Sequence, residues 1–177
     1  QVMNEDYSFF SRSGSSHLIG GSVYLPATAS PVKLTLEYAD SIATKTLFSF
    51  GDHVYGFSYT NGQYPDGMRY RDRTLGFSLD TDSTLLSLQG GWSDESGRFY
   101  QLSLHHAVIG NSHTPPGFNV VSTSPVIVNM AEARWSLPLT LNHRTFHLDL
   151  AGRVQDDQPR PHRGIDGAVE VALRAPF

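Results

Sequence analysis

The sequence predicts an all-β protein, an antiparallel transmembrane β-barrel, on three observations. Short segments in which apolar and polar residues alternate recur along almost the whole chain, and helical periodicity is nearly absent. The last segment keeps this period of two up to an aromatic terminus, with Val169, Val171, Leu173, Ala175 and Phe177 on one face and Ala168, Glu170, Ala172 and Arg174 on the other. A final strand that is greasy on one side and charged on the other faces two different media, as barrel strands in lipid do. Charged residues are only 17% of the chain, against about 25% in ordinary soluble domains.

The elements follow in order. His17 to Leu25 is a strand weakened by Gly20-Gly21, and Pro26 to Pro31 is a turn of small residues. Val32, Leu34, Leu36 and Tyr38 alternate with Lys33, Thr35 and Glu37, the clearest two-faced strand of the first half. Tyr55, Phe57 and Tyr59 share one parity in a strand expected over Val54 to Thr60, and Asn61 to Gly67 is dense in turn residues. Leu75, Phe77 and Leu79 mark the next strand, and Asp80-Thr81-Asp82 a tight connection. Ser83 to Trp92 then sets Leu86, Leu88 and Trp92 against Ser83, Ser87 and Gln89.

Ser93 to Gly97 is a polar turn, and Phe99 to His106 sets Tyr100, Leu102 and Leu104 against Gln101, Ser103 and His105. Val108 to Pro125 is long and irregular, Val126 to Leu137 is a strand, and Arg144 to Arg153 alternates Phe146, Leu148 and Leu150 with Thr145, His147, Asp149 and Ala151. Gln155 to Gly164 is a polar loop, and Ile165 to Phe177 closes the chain. The count is about eight or nine strands, in a single domain over residues 1–177.

Composition narrows the function. No run of about 20 apolar residues is present, so no transmembrane helix is available. The mean hydropathy of −0.27 fits a barrel equally well, because half of each strand faces water. A net charge of −4 argues against nucleic acid, which binds basic surfaces. The chain has no cysteine, which excludes disulfides and thiolate metal sites. The start, QVMNEDYSFF, carries no signal-peptide pattern, so the chain reads as a mature protein or a piece of a longer one.

The competing fold is a soluble β-sandwich, whose strands also alternate. Small and amide residues on the polar face (Ser83, Ser87, Gln89, Gln101 and Ser103) suit a crowded wet lumen, and Tyr24, Tyr38, Trp92, Tyr100, Trp135 and Phe177 near strand ends suit interfacial girdles. Such a barrel must close, because unpaired edge groups find no water in lipid.

The segment from Leu36 to Ala43 (LEYADSIA) and that from Tyr55 to Ser83 (YGFSYTNGQYPDGMRYRDRTLGFSLDTDS) resemble the Wzi family of outer-membrane capsule-assembly proteins. The matching residues are Glu37, Tyr38 and Asp40, then Tyr64, Asp66, Gly67, Arg69, Tyr70, Arg71, Arg73, Leu75 and Gly76, then Asp80, Asp82 and Ser83. The resemblance implies a larger barrel of which this chain is the C-terminal portion. It implies location in the bacterial outer membrane and a lectin-like, non-catalytic role that holds capsular or exported polysaccharide at the cell surface. The implied partners are that polysaccharide, outer-membrane lipid and lipopolysaccharide, and the remaining N-terminal part of the barrel. No cofactor is implied.

Two groups of residues are carbohydrate-binding candidates. Tyr64, Asp66, Arg69, Tyr70, Arg71 and Arg73 combine guanidinium forks that grip carboxylates with flat phenol rings, and the same arginines could instead brace the barrel against Glu37, Asp40, Asp80 or Asp82. Asp156, Asp157, Arg160, His162 and Arg163 lie on the polar loop near the end of the chain, with a solvated loop as the alternative. The loop from Val108 to Pro125, with Asn111, His113 and Asn119, is a further surface candidate. With a periplasmic C-terminus, counting strands backwards puts Gln155 to Gly164 and Asp80 to Asp82 outside, Ser93 to Gly97 in the periplasm, and Asn61 to Arg71 inside or periplasmic.

Eight histidines form no metal pattern: His105 and His106 point to opposite faces, and no pair has helical spacing in a helix. Asp80-Thr81-Asp82 lacks the Gly and Glu of a calcium loop. His147 with Asp149 and Ser103 with His105 share faces, which leaves a lipid deacylase or phospholipase as an alternative function. A soluble carbohydrate-binding sandwich is another.

Overall fold

The computed structural model describes residues 2–4, 15–26, 30–44, 52–59, 69–70, 73–74, 77–141, 144–159 and 165–175. The strands are β1 (Val2–Asn4), β2 (Ser15–Leu25), β3 (Val32–Thr44), β4 (His53–Val54), β5 (Arg69–Tyr70), β6 (Arg73–Thr74), β7 (Thr84–Ser93), β8 (Phe99–Ile109), β9 (Val126–Leu141), β10 (Arg144–Gln158) and β11 (Asp166–Arg174). One antiparallel sheet runs β1-β2-β3-β7-β8-β9-β10-β11, with β4 paired to β3, and β5-β6 form a separate hairpin. No helix occurs among the described residues. The all-β antiparallel fold expected from the sequence is therefore present.

Two expected strands are not. Val54 to Thr60 forms a strand only at its first residue, within β4, and residues 55–59 are turns. Gly56 (φ 68°) and Tyr59 (φ 63°) adopt left-handed backbone that no strand accommodates. Of the strand expected through Leu75, Phe77 and Leu79, Leu75 and Gly76 lie outside the described residues, and Phe77 to Leu79 is a turn. Because β3 and β7 are neighbours in the sheet, everything from 45 to 83 is one connection between adjacent strands. The backward count that separated Asn61–Arg71 from Asp80–Asp82 placed one strand too many between them. At the other end, β10 continues to Gln158, so Asp156 and Asp157 belong to a strand and not to a loop.

The described chain divides into two compact units. The first comprises Gln1–Ile19, Glu37–Leu86 and Ala107–Val128. Its buried apolar residues are small or isolated: Ala39, Ala43, Tyr59, Ala107 and Ile109. Buried among them are Ser41, Thr44, Ser58, Asp80, Thr81, Asp82, Ser83 and Asn119.

The second unit comprises Gly20–Leu36, Ser87–His106 and Asn129–Phe177. The β7–β8 turn is tied by the Asp94 carboxylate, which accepts from the Ser96 and Arg98 N–H groups at 2.9 and 3.0 Å. One sheet face carries Leu88, Leu102, Leu104, Val154, Val169, Val171 and Leu173, all exposed. The exposures of Val169, Val171 and Leu173, 83, 64 and 64%, show that no second layer of this protein covers them among the described residues. A β-sandwich would bury this row.

On the same face Trp92, Tyr100 and Trp135 stack across β7, β8 and β9, with centroids 5.1 and 5.9 Å apart. The opposite face is polar. Gln101 Nε2 donates to Ser103 Oγ at 3.1 Å, Ser87 Oγ pairs with His105 Nδ1 at 2.9 Å, and Arg174 forks onto Asp149, its Nη2 donating to Oδ1 at 2.8 Å. The β10–β11 register sets Asp149 against Ala172, so this ion pair is a diagonal contact within reach of long side chains. Among the described residues the largest fully buried side chains are Thr81, Asp80, Asp82, Ser41, Ser83 and Ser103. Polar groups inside and large apolar groups outside reverse the usual order for a chain in water.

Candidate functional site

The densest chemistry lies in the first unit, around the turn Asp80-Thr81-Asp82-Ser83. The alternate residues Ala39, Ser41 and Ala43 of β3 are small and buried, which leaves room for a turn to pack against them. Asp80 and Asp82 take left-handed backbone (φ 66° and 55°), a conformation that Asp tolerates better than most side chains. Ser41 Oγ lies 2.6 Å from the Asp80 carbonyl and accepts from the Ser83 N–H at 2.9 Å, while the Ser41 N–H donates to the Ser83 carbonyl at 2.9 Å.

Two loops are fastened to this turn. The Asp82 carboxylate accepts from the Gly56 N–H at 2.7 Å, and the Asp80 carboxylate accepts from the Val120 N–H at 2.8 Å. Asn119 is 4% exposed. Its Nδ2 lies 2.6 Å from the Thr81 carbonyl and 3.2 Å from both the Leu79 carbonyl and Ser83 Oγ. Its Oδ1 accepts from the Val121 and Ser122 N–H groups at 2.9 and 3.0 Å. Ser83 Oγ also accepts from the Gly110 N–H at 3.1 Å. Asn119, expected at the surface, is instead the buried fastener of its loop: an amide offers donors to the 79–83 turn and an acceptor to its own loop.

Burial pushes the carboxyl of Asp82 above the ordinary carboxylate value. Neighbouring Asp80 adds to this, against hydrogen bonds from Thr114, Gly56 and Thr81 that pull it down. A raised value means the folded state binds this proton more tightly than the unfolded state does. The cost of holding Asp82 ionised is full above its raised pKa and vanishes as pH falls through that value toward the unfolded one. From this group alone, the clamp therefore strengthens on acidification from neutral pH. Proteolysis of residues 110–125 is expected to slow between neutral and mildly acidic pH, and Asp82→Asn is expected to flatten that dependence; an unchanged slope in the variant would assign the effect to another group.

Where the two loops meet, the rings form a row. Tyr55 stacks on His113 with centroids 5.0 Å apart and planes at 22°, and His53 lies 6.0 Å from Tyr55 at 45°. His113 is oriented by Asn111, whose Oδ1 lies 3.0 Å from both the backbone N and the Nδ1 of His113. His53, Tyr55 and His113 as a group were not apparent in the sequence, since Tyr55 and His113 lie 58 positions apart.

Of the residues proposed from sequence, Tyr64, Asp66, Arg71, Arg160, His162 and Arg163 lie outside the described residues. Arg69, Tyr70 and Arg73 are described in their backbone, which forms the β5–β6 hairpin with Arg69 paired to Thr74 and Tyr70 to Arg73. Asp156 and Asp157 are half-buried at the end of β10, where Asp157 Oδ1 accepts from Gln155 Nε2 at 2.9 Å. The motif residues Asp80, Asp82 and Ser83 are the buried clamp just described. In the second unit, His105 bonds Ser87, and His106 Nδ1 lies 2.8 Å from Asn129 Oδ1, so the adjacent histidines serve opposite faces. Asp149 is paired with Arg174. No group of three or more potential metal ligands occurs among the described residues.

No family model matches the sequence, and neither does any curated protein. Among solved structures the chain is similar to Wzi, an outer-membrane protein involved in group 1 capsule assembly in Escherichia coli and described as a carbohydrate-binding β-barrel. The TM-score is 0.73 at 18% identity, over 99% of this chain and 37% of Wzi. The chain thus spans little more than a third of the length of that structure. At this identity the likeness establishes the fold: a section of barrel wall with its connections.

Proposed function

We propose that this chain is the C-terminal portion of an outer-membrane β-barrel that attaches capsular or exported polysaccharide to the bacterial cell surface, as a lectin-like protein without catalysis. The observation that carries the reading is the match of 99% of the chain to a carbohydrate-binding barrel. The reversed distribution of polar and apolar residues supports a lipid-facing wall. The Trp92–Tyr100–Trp135 stack has the character of an interfacial girdle, where amphipathic rings meet headgroups. Within this reading, outer-membrane lipid and lipopolysaccharide contact the apolar face. The rest of the barrel pairs with β1 and β11, each of which has a neighbour on one side only among the described residues.

The corrected connectivity favours a role for the arginine hairpin. With 45–83 as one connection, the strand count that puts Asp80–Asp82 outside the cell puts Asn61–Arg73 outside as well. Tyr64, Asp66, Arg69, Tyr70, Arg71 and Arg73 are then on the polysaccharide side, joined by Asp156, Asp157, Arg160, His162 and Arg163 near the β10–β11 connection. Contacts to a repeating polymer are weak singly and retentive together, because each bound repeat raises the effective concentration of the next. Replacing Arg69, Arg71 and Arg73 together by alanine is expected to release polysaccharide into the medium while the barrel still assembles. Polysaccharide that stays cell-bound would make the arginines braces and not sugar contacts.

A further inference from the structure

We propose that the His53–Tyr55–His113 row is a sugar-contact platform for a pyranose unit of that polymer, an inference that rests on the polysaccharide reading above and gives it a place on the molecule. His53 and His113 are exposed and Tyr55 is partly so. The buried interior of their unit is mostly polar, with Asp80, Asp82, Ser83 and Asn119 beside a few apolar residues, Ala39, Ala43, Tyr59, Ala107 and Ile109. Flat rings held together at a surface above a mostly polar interior are poorly explained by core packing.

The row is built rather than accidental. Tyr55 precedes Gly56, whose N–H is held by Asp82 at 2.7 Å. A Cβ added to Gly56 would approach Pro115 Cδ to 2.8 Å and Phe118 Cδ1 to 2.9 Å, on backbone already at φ +68°. The two ring-bearing segments are therefore interlocked beside the stack, and only glycine fits there. The 110–114 turn is closed by the Asn111 N–H donating to Thr114 Oγ1 and the Thr114 N–H donating to the Asn111 carbonyl, both at 3.0 Å.

The chemistry selects a sugar. Asn111 Oδ1 accepts from the His113 backbone N–H, so it is the carbonyl oxygen of the amide, and the His113 Nδ1 facing it carries the proton. In the neutral ring Nε2 then presents a lone pair. A row of two imidazoles and a phenol, flanked by the polar Asn111, Ser112 and Thr114, offers π surface to the C–H face of a pyranose. Its ring nitrogens and hydroxyl can take the sugar's equatorial hydroxyls.

The test uses the protein expressed from its intact gene and purified in detergent, with polysaccharide extracted from the surface of the source bacterium as probe. The double variant Tyr55→Ala/His113→Ala is expected to bind about tenfold more weakly or worse, the scale of losing aromatic contacts, with unchanged resistance of residues 110–125 to chymotryptic cleavage at Phe118. Should the double variant lose that resistance, His113→Leu decides, because its site is exposed and its fold burden small. Wild-type affinity in the folded variant overturns the platform and leaves the polysaccharide reading standing. Absence of binding by the wild-type protein overturns both.

Discussion

Asn119→Ala is expected to free residues 110–125 from their unit while the sheet stays paired. The amide serves carbonyl and hydroxyl acceptors of the 79–83 turn and two N–H groups of its own loop, at 2.6 to 3.2 Å. Alanine removes the acceptor of the Val121 and Ser122 N–H groups, whereas the Leu79 and Thr81 carbonyls keep Ser83 Oγ and Ser83 Oγ keeps the Gly110 N–H; each buried group left unsatisfied costs about 1–3 kcal/mol. Water admitted by the missing side chain can recover part of this. A net cost of about 2 kcal/mol falls on one loop, enough to raise its open population by more than about tenfold. Hydrogen exchange at Val121 and Ser122, and protease cleavage within 110–125, are the readouts. Exchange as slow as in the wild type would mean that Asp80 and Ser83 hold the loop without the amide. Asn119→Asp is a sharper control: it keeps the acceptor for Val121 and Ser122, loses the donors, and adds a third carboxylate beside Asp80 and Asp82.

The same residue shows where sequence reading stops. An asparagine in a loop rich in Ser, Thr and Pro has no local signal that separates a surface amide from a buried one. Its burial is dictated by a turn about forty positions earlier in the chain. Some signal existed: Asp80 and Asp82 flanking one residue suit a left-handed turn, and the alternation of Ala39, Ser41 and Ala43 leaves space on β3. The strand faces were legible because a period of two is local. The alternation at 86–92, 100–104 and 146–150 places the apolar residues on one side, as the stack of Trp92, Tyr100 and Trp135 bears out.

The same period misled at Val54–Thr60. There the parity of Tyr55, Phe57 and Tyr59 is accidental, and the left-handed backbone at Gly56 and Tyr59 breaks any strand. The end of β10 was misjudged for the opposite reason. Beyond Val154 both faces are polar, so Gln155 to Gln158 lose the alternation while keeping strand pairing through Gln155, which opposes Asp166. The arginine hairpin was legible as a motif, and its pairing follows from the backbone, but its contacts do not follow from pattern alone.

The reading of two media makes a face-dependent prediction on a single strand. Leu104, at the centre of β8, is 46% exposed on the apolar face. Gln101, three residues earlier, is on the polar face, in a cavity lined also by Arg134, Ser136, Asp149, Glu170 and Arg174. In lipid, arginine at the membrane midplane of a barrel wall costs about 2–4 kcal/mol, so Leu104→Arg is expected to block or strongly slow assembly into the outer membrane. Gln101→Arg introduces the same side chain beside carboxylates and water, where a charge keeps its solvation, and is expected to assemble as the wild type does. Heat-modifiable mobility on gels and protease protection in isolated membranes report both. In a protein whose apolar face met water, the order would reverse: Leu104→Arg would be harmless or would improve solubility, since it replaces exposed apolar surface with charge. Equal assembly of the two variants would therefore remove the physical basis for a lipid-facing wall. The polysaccharide proposal would fall with it, because the assignment of external connections depends on that wall.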